Sequence, residues 1–151
     1  MSSQIENIYT AIKAFAPTYD SDATITVRDV DELKDMRLEI GPIRMLFLPE
    51  DTAQEFVAMG NPFKNVWRIN DRLYYGKTGG GGGIATANDN IRKYIASYMD
   101  AVRSNRGLGA SVTQSHIIGA EYTPRNDLTY GADDTNWYGV DVLLTIEEFV
   151  T

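Results

Sequence analysis

The sequence contains no cysteine and a single histidine, His116. Without cysteine there is no disulfide framework, no thiolate metal ligand and no cysteine nucleophile. One histidine excludes metal sites built from several histidines and leaves one side chain that titrates near neutral pH. The lack of cysteine also fits folding in a reducing compartment. These absences exclude cysteine-based sites and sites built from several histidines.

Long apolar runs are missing as well. No stretch approaches the roughly 20 apolar residues that a membrane-spanning helix needs, and the first residues show no basic region followed by an apolar one. We therefore expect a soluble, unexported chain with no membrane partner. Its length of 151 residues suits one domain, and we expect a single domain over residues 1–151.

Positive charge is scarce overall but concentrated in the middle of the chain. The net charge of −7 disfavours a general attraction to nucleic acid or anionic lipid. Residues 64–106 carry a net charge of +5, whereas residues 1–63 and 107–151 carry −6 each. Two interpretations follow: the basic middle pairs with the acidic ends inside one chain, or the basic surface of one copy meets the acidic surface of the next.

The first helix is predicted from apolar residues that recur at helical spacing over residues 5–15. It lies behind Ser3-x-x-Glu6, a pattern typical of a capping box, in which each side chain bonds a free amide at the helix start. Pro17 prevents the helix from continuing.

Shorter elements are predicted between this helix and the middle of the chain. Residues 24–28 and 43–48 are rich in β-branched and apolar residues and predict strands. Residues 50–59 predict a short helix. Residues 66–75 predict a β-hairpin that reverses at residues 70–71, Asn-Asp, because both residue types tolerate positive φ.

A glycine-rich loop and a long helix are predicted next. Five consecutive glycines, residues 79–83, predict a flexible loop over about residues 78–86. Apolar residues at i, i+3, i+4, i+7, i+8 and i+11 from Ile91 predict a long amphipathic helix. Asn88 or Asn90 can cap its start, and Gly107 can close it.

The last part of the sequence predicts two strands, residues 112–122 and 136–150. In the second strand, apolar and polar residues alternate, as in an antiparallel strand buried on one face. Residues 123–135 form a polar connection whose length is typical of functional or disordered segments. The element order lacks regular β-α-β alternation and predicts an α+β fold: a mostly antiparallel sheet with an N-terminal helix and one long helix packed on it.

No motif assembles a site for chemistry, so we expect no catalytic residue, cofactor or metal. Residues 76–78, Gly-Lys-Thr, match the last three residues of a phosphate-binding loop. That loop also needs a glycine five positions earlier, where this sequence has Asp71. Ser115 and His116 are adjacent on a predicted strand and therefore diverge. An alternative of another class is a small ligand-binding domain or enzyme that uses His116 with Asp141. A third is a nucleic-acid binder that uses residues 64–106.

The layout resembles the tail-terminator or tail-completion proteins of long-tailed bacteriophages. The shared features are an amphipathic first helix, a central hairpin, a long helix after a flexible loop, and a closing strand such as WYGVDVLLTIEEF at residues 137–149. The resemblance implies a virion structural protein, made in the host cytoplasm, whose copies form a ring, commonly a hexamer. That ring would sit on the tail tube and join it to the head connector proteins. A head-tail adaptor or a tail tube subunit is the alternative within the same apparatus.

The resemblance also implies which residues face partners. The glycine loop and the polar connection would act as adaptable arms toward neighbouring rings, and DNA would pass through an acidic lumen without specific binding. Large amphipathic rings that border a loop are typical interface anchors. The predicted interface residues are Gly79, Gly80, Gly81, Gly82, Gly83, Arg92, Lys93, Tyr130, Asp133, Asp134 and Trp137.

Overall fold

The computed structural model describes residues 3–29, 42–56, 62–78, 83–109, 114–130 and 133–150. In chain order, its elements are α1 (Ile5–Lys13), β1 (Thr26–Asp29), β2 (Ile43–Leu46), β3 (Asp51–Phe56), β4 (Phe63–Lys77), α2 (Ile84–Ser104), β5 (Ser115–Tyr130) and β6 (Asp133–Val150).

The six strands form one sheet with the order β1-β2-β4-β6-β5, and β3 pairs with β4 beyond the end of β2. Every pair is antiparallel except β1 with β2, which is parallel. The predicted α+β class, with a mostly antiparallel sheet, an N-terminal helix and one long helix, is therefore confirmed.

The core lies between the two helices and one face of the sheet. β6 alternates as predicted, and its inward residues Val140, Val142, Leu144 and Ile146 are fully buried. The apolar stripes of both helices are used on this sheet, as their spacing predicts. The buried residues of this cluster on α1, β4 and α2 are Ile8, Ile12, Ile69, Leu73, Ile91, Tyr94 and Tyr98.

The helix α2 is longer than predicted at its start. It begins at Ile84 behind Gly83, whose φ of 73° suits glycine. Asn88 and Asn90, the predicted caps, therefore lie inside the helix, and Asn105 instead of Gly107 occupies the C-cap position. In the described part of the chain, neither helix combines the length and apolar character needed to cross a membrane.

The strand β4 is unbroken, so the predicted hairpin at residues 70–71 is wrong. Asn70 pairs with Leu143 and Asp71 with Val142 in regular register with β6. Asp71 is fully buried and forms an ion pair with Arg44, 27 positions earlier in the sequence. A long-range partner therefore overrides a local turn preference.

Residues 51–56 form β3, so the predicted helix over residues 50–59 is also wrong; residues 57–59 lie outside the described ranges. β3 continues the line of β2 along β4. Four residues, 47–50, stand opposite only Ile69 and Asn70, because Leu46 pairs with Asp71 and Asp51 with Arg68. The sheet therefore has a bulge between β2 and β3.

The predicted polar connection over residues 123–135 belongs mostly to strands. β5 continues to Tyr130 and β6 begins at Asp133, with register shifts between Arg125 and Leu128 and again before Tyr130. Its polar residues sit on an exposed strand, which composition alone does not distinguish from a loop. Residues 112–113, the predicted start of β5, and residues 131–132 lie outside the described part.

The opposite face of the sheet carries a second, smaller apolar cluster. Its buried members are Ile43, Met45, Tyr74, Leu128, Tyr130 and Trp137. The rings of Tyr74 and Tyr130 meet edge to face, with centroids 5.0 Å apart. Such aromatic pairs contribute beyond the area that they bury.

Candidate functional site

The densest set of buried polar groups joins β2, β4 and α2. Arg44 and Asp71 are 1% and 0% exposed, and the Arg44 Nε lies 3.0 and 2.9 Å from the two Asp71 carboxylate oxygens. The Tyr98 hydroxyl donates to the Asp71 Oδ2 at 2.6 Å. Burial raises the pKa of Tyr98 well above its usual value, and the Asp71 charge raises it further.

The same arginine also holds the end of α1. Its Nη1 donates to the Phe15 carbonyl and its Nη2 to the Ile12 carbonyl, both at 2.6 Å. Burial alone would lower the pKa of Arg44, but the Asp71 carboxylate outweighs burial and raises it. Arg44 is therefore a fixed cation that binds one carbonyl of the last turn of α1, at Ile12, and one just beyond the helix, at Phe15. This network anchors α1 on the sheet.

A second carboxylate, Glu148 on β6, holds the start of α1. Its Oε2 accepts from the Gln4 amide at 2.7 Å, and its Oε1 accepts from Ser3, Asn65 and Trp67 at 2.8, 2.9 and 3.1 Å. Burial would raise the pKa of Glu148, but these donors together lower it.

The predicted Ser3–Glu6 capping box is therefore wrong. The N-cap residue is Gln4, which makes no side-chain cap bond. The Ser3 hydroxyl donates to Glu148 instead of serving a box with Glu6. A strand residue far away in sequence takes over the contact that the box would have provided.

The described residues do not bring His116 and Asp141 together. The His116 ring stacks on Phe149, with centroids 6.3 Å apart and planes at 22°. Asp141 pairs in register with Thr123, seven positions along β5 from His116, which corresponds to roughly 20 Å along a strand. No group of three His, Asp or Glu side chains that could hold a metal occurs in the described ranges.

Three of the four basic residues of β4 are matched by acidic residues from the two acidic segments of the chain. Arg68 pairs with Asp51 at 3.1 Å, Lys64 with Glu55 at 3.1 Å, and Arg72 with Asp141 at 2.6 Å. The first interpretation of the segregated charge, pairing within one chain, therefore holds along β4. These three pairs leave little net positive charge on this face for a polyanion.

On α2, the basic residues divide into two kinds. Lys93 pairs with Asp89 at 3.0 Å and Arg103 with Asp100 at 3.3 Å, one turn away in each case. Arg92 is exposed and makes no ion pair with any described residue. It is therefore the predicted interface cation that remains available for a partner.

Arg92 lines a groove of about 500 Å³ between the first half of α2 and the β5–β6 pair. Ile84, at the start of α2, is 59% exposed at this groove. Pro124 lies on β5, an outermost strand, which is where sheets tolerate proline. We call this surface the α2 groove; its other lining residues used below are Ile91, Arg125 and Tyr138.

On the lateral side of the sheet away from β5, the exposed segment is residues 48–56. We call this segment the acidic edge. Leu48, in the bulge between β2 and β3, is 75% exposed, and Phe56 is 74% exposed. The Phe56 ring meets that of Phe63 with centroids 4.7 Å apart. The segment contains three acidic residues and no basic one. Among them, Glu50 makes no ion pair with any described residue.

The structure separates the predicted interface residues. Residues 79–82 lie outside the described ranges, and Gly83 caps α2. Asp133 and Asp134 open β6. Tyr130 and Trp137 are 4% and 2% exposed in the second apolar cluster, so their rings already pack against the chain itself, and their role as anchors stays a prediction.

Sequence reasoning missed the acidic edge. The sequence predicts a strand end at Leu48 and a short helix at Phe56, where apolar residues are expected to be buried. Pro49 gave a partial signal, because proline is confined to strand ends, edges and bulges. The bulge itself follows from the register of β2 and β3 on β4, which local sequence does not show.

No family model matches the chain, and no curated protein matches it. Among solved structures, a similar chain occurs in the cryo-EM structure of an extracellular contractile injection system, the PVC sheath/tube terminator in its extended state. The TM-score is 0.44 with 12% sequence identity, and the match covers 100% of this chain and 58% of that one. This chain thus spans little more than half the length of its neighbour, and a similarity of this size carries no functional argument.

Proposed function

We propose that this chain is a structural protein of a bacteriophage-type tail or neck that works as a tail terminator. Its copies join side by side into a ring, and six copies is the size common among tail terminators. The ring closes the end of the tail tube and contacts the head connector proteins. The ring belongs to the virion, DNA passes through its lumen without specific binding, and the role needs no catalytic step, cofactor or metal.

The observation that carries this proposal is that the sheet exposes two different sides. One side presents β5 with Pro124 and the α2 groove, and the other presents the acidic edge. A contact between unlike surfaces is heterologous, and such contacts close into a ring when the rotation between copies permits. Identical self-complementary patches would instead favour a two-fold dimer.

The sequence layout supports the choice of a tail component over other ring-forming proteins. The amphipathic first helix, the long helix after the glycine run and the closing strand over residues 137–149 resemble the tail-terminator family, whereas the central hairpin of that layout does not form. The apolar stripes of both helices are used on the chain's own sheet. Edges, bulges and exposed loops therefore provide the contact surfaces for copies and partners.

Native mass spectrometry and electron microscopy test the proposal directly. We expect a single closed oligomer, alone or after addition of tail tubes from the same particle, and rings bound at one end of the tubes. A compact monomer under both conditions would contradict the proposal. Open-ended polymerisation into long tubes would support the tube subunit, and binding to the connector alone would support the adaptor.

A further inference from the structure

We infer that the subunit contact of this ring is formed by the acidic edge of one copy seated in the α2 groove of the next. This assignment rests on the proposed function and goes beyond it by naming both surfaces and one charge pair. The occupant of the groove is a second copy of this chain, through its residues 48–56.

The two surfaces lie on opposite sides of the molecule, as a heterologous contact requires. β3 pairs with β4, and β4, β6 and β5 follow in order across the sheet. Three strand spacings of about 4.8 Å place β3 roughly 14 Å from β5. One copy can therefore present its acidic edge on one side while its own groove receives the edge of another copy.

Apolar surface is exposed on both sides of the assigned contact. The acidic edge offers Leu48 and Phe56, which are 75% and 74% exposed. The α2 groove offers Ile84, Pro124 and Tyr138. Side chains of this size contribute most when a contact removes them from water. Leu48 lies in the bulge between β2 and β3, outside both paired segments.

Charge complementarity fixes which surface meets which. Arg92 and Arg125 line the groove, and Arg125 is already paired with Asp127 and Asp141. The charged side chains of the edge are all acidic, and two of them, Asp51 and Glu55, are paired with Arg68 and Lys64. Arg92 and Glu50 are both exposed, and each lacks an ion pair within the described part of the chain. Opposite charges across a contact set its register and disfavour the pairing of two edges or two grooves.

A charge-reversal cycle tests the pairing. We expect Arg92→Glu and Glu50→Arg each to weaken subunit association at least about tenfold, and the double variant to recover most of this loss. Arg103→Glu is the matched control, because it makes the same change on the last turn of α2, away from the groove. Association is measured by analytical ultracentrifugation or by occupancy of tube ends, and thermal unfolding checks that each variant folds.

Crosslinking supplies an independent test, since the chain contains no cysteine. We expect Leu48→Cys combined with Ile84→Cys to give a ladder of covalent oligomers with a short bis-maleimide, up to the size of the ring. Each single variant has one thiol per chain and can form at most a dimer. We expect no dimer either, because the contact joins unlike surfaces. Leu48→Cys combined with Met99→Cys, a position 49% exposed elsewhere on α2, is the control.

The outcomes separate this assignment from the proposed function. If rings form, but charge reversal and the double-cysteine variant behave like their controls, the function stands and the assignment is wrong. If the wild-type chain forms no oligomer alone or with tubes, the ring function is wrong and this assignment falls with it. A covalent dimer from Leu48→Cys alone would show a two-fold contact and would also overturn the assignment.

Discussion

Two tyrosines one turn apart on α2, Tyr94 and Tyr98, are both fully buried but differ in what their hydroxyls meet. The Tyr98 hydroxyl donates to the Asp71 carboxylate at 2.6 Å. The Tyr94 hydroxyl has no hydrogen-bond partner among the described residues. Burial raises the pKa of both, so each stays protonated at neutral pH.

This difference predicts opposite results for the same substitution. Tyr98→Phe should lower the free energy of unfolding by about 1.5 to 3 kcal/mol, because it removes a buried hydrogen bond to a charged group. Tyr94→Phe should be neutral or stabilising, because it removes a buried polar group that has no partner. Urea unfolding of both variants checks the prediction, and equal losses would contradict it.

The hydrogen bonds of Glu148 at the start of α1 predict that the free energy of unfolding depends on pH. Its pKa in the folded chain is lowered, so its contribution to stability is present above the unfolded value of about 4.3 and is lost as pH falls through the folded value. Glu148→Gln should therefore lower the free energy of unfolding by about 1 to 3 kcal/mol at pH 7. The gap between variant and wild type should narrow below about pH 4.

Denaturation of both chains at several pH values measures this gap. Glu147→Gln, on the neighbouring and opposite-facing position of β6, is the control and should show a smaller effect at neutral pH, since Glu147 lies 4.0 Å from Lys64. A gap that persists unchanged in acid would mean that the Glu148 charge does not hold α1.

At the scale of elements, the β4–β6 pairing contains a close backbone approach. Tyr74 pairs with Gly139 and Gly76 with Tyr138, so Tyr75 is an extra residue in a bulge. A Cβ added at Gly139 would lie 2.6 Å from the Leu128 Cδ1 and closer still to the Leu73 carbonyl oxygen. Only glycine fits between these two neighbours without a shift of backbone.

Gly139→Ala should therefore lower the free energy of unfolding by about 2 kcal/mol or more, since the backbone of Leu73 cannot move aside as a flexible side chain would. Gly76→Ala, in the same bulge, meets nothing within 4 Å and should change stability little. Thermal or urea unfolding compares the two. Equal effects would show that the bulge adapts freely.

The elements that could be predicted are those whose own apolar periodicity shows which face is buried. The stripe from Ile91 to Tyr98 defines α2 and the alternation from Val140 to Ile146 defines β6, because each buries one face on a neighbour. β3 and the middle of β4 could not be predicted. Asp71 has the local signature of a turn, and only its partner Arg44 places it inside a strand.

The candidate site was predicted only in part for the same reason. The residues of the α2 groove come from a helix and two strands that are distant in sequence, so Arg92 could be proposed as an interface residue but not assigned to a groove. Leu48 and Phe56 have apolar side chains that local reasoning places inside a core. Their exposure depends on the register of β3 on β4.

At the scale of the molecule, the matched charges on β4 bear on nucleic-acid binding. Arg68, Lys64 and Arg72 each face an acidic partner within the chain, and the net charge is −7. We expect the wild-type chain to leave the electrophoretic mobility of duplex DNA unchanged at about 0.15 M salt. Retardation that weakens steeply with added salt would favour the nucleic-acid binder instead.

The hydrogen bonds from Arg44 to the Ile12 and Phe15 carbonyls influence which part of the fold unfolds first. The ends of a nine-residue helix ordinarily fray, and their amides exchange with solvent through local fluctuations. Here the last turn of α1 cannot detach without leaving a buried guanidinium short of acceptors. The amides at that end should exchange with deuterium at the rate of the central strands, so the helix belongs to the slowest-opening cooperative unit of the fold.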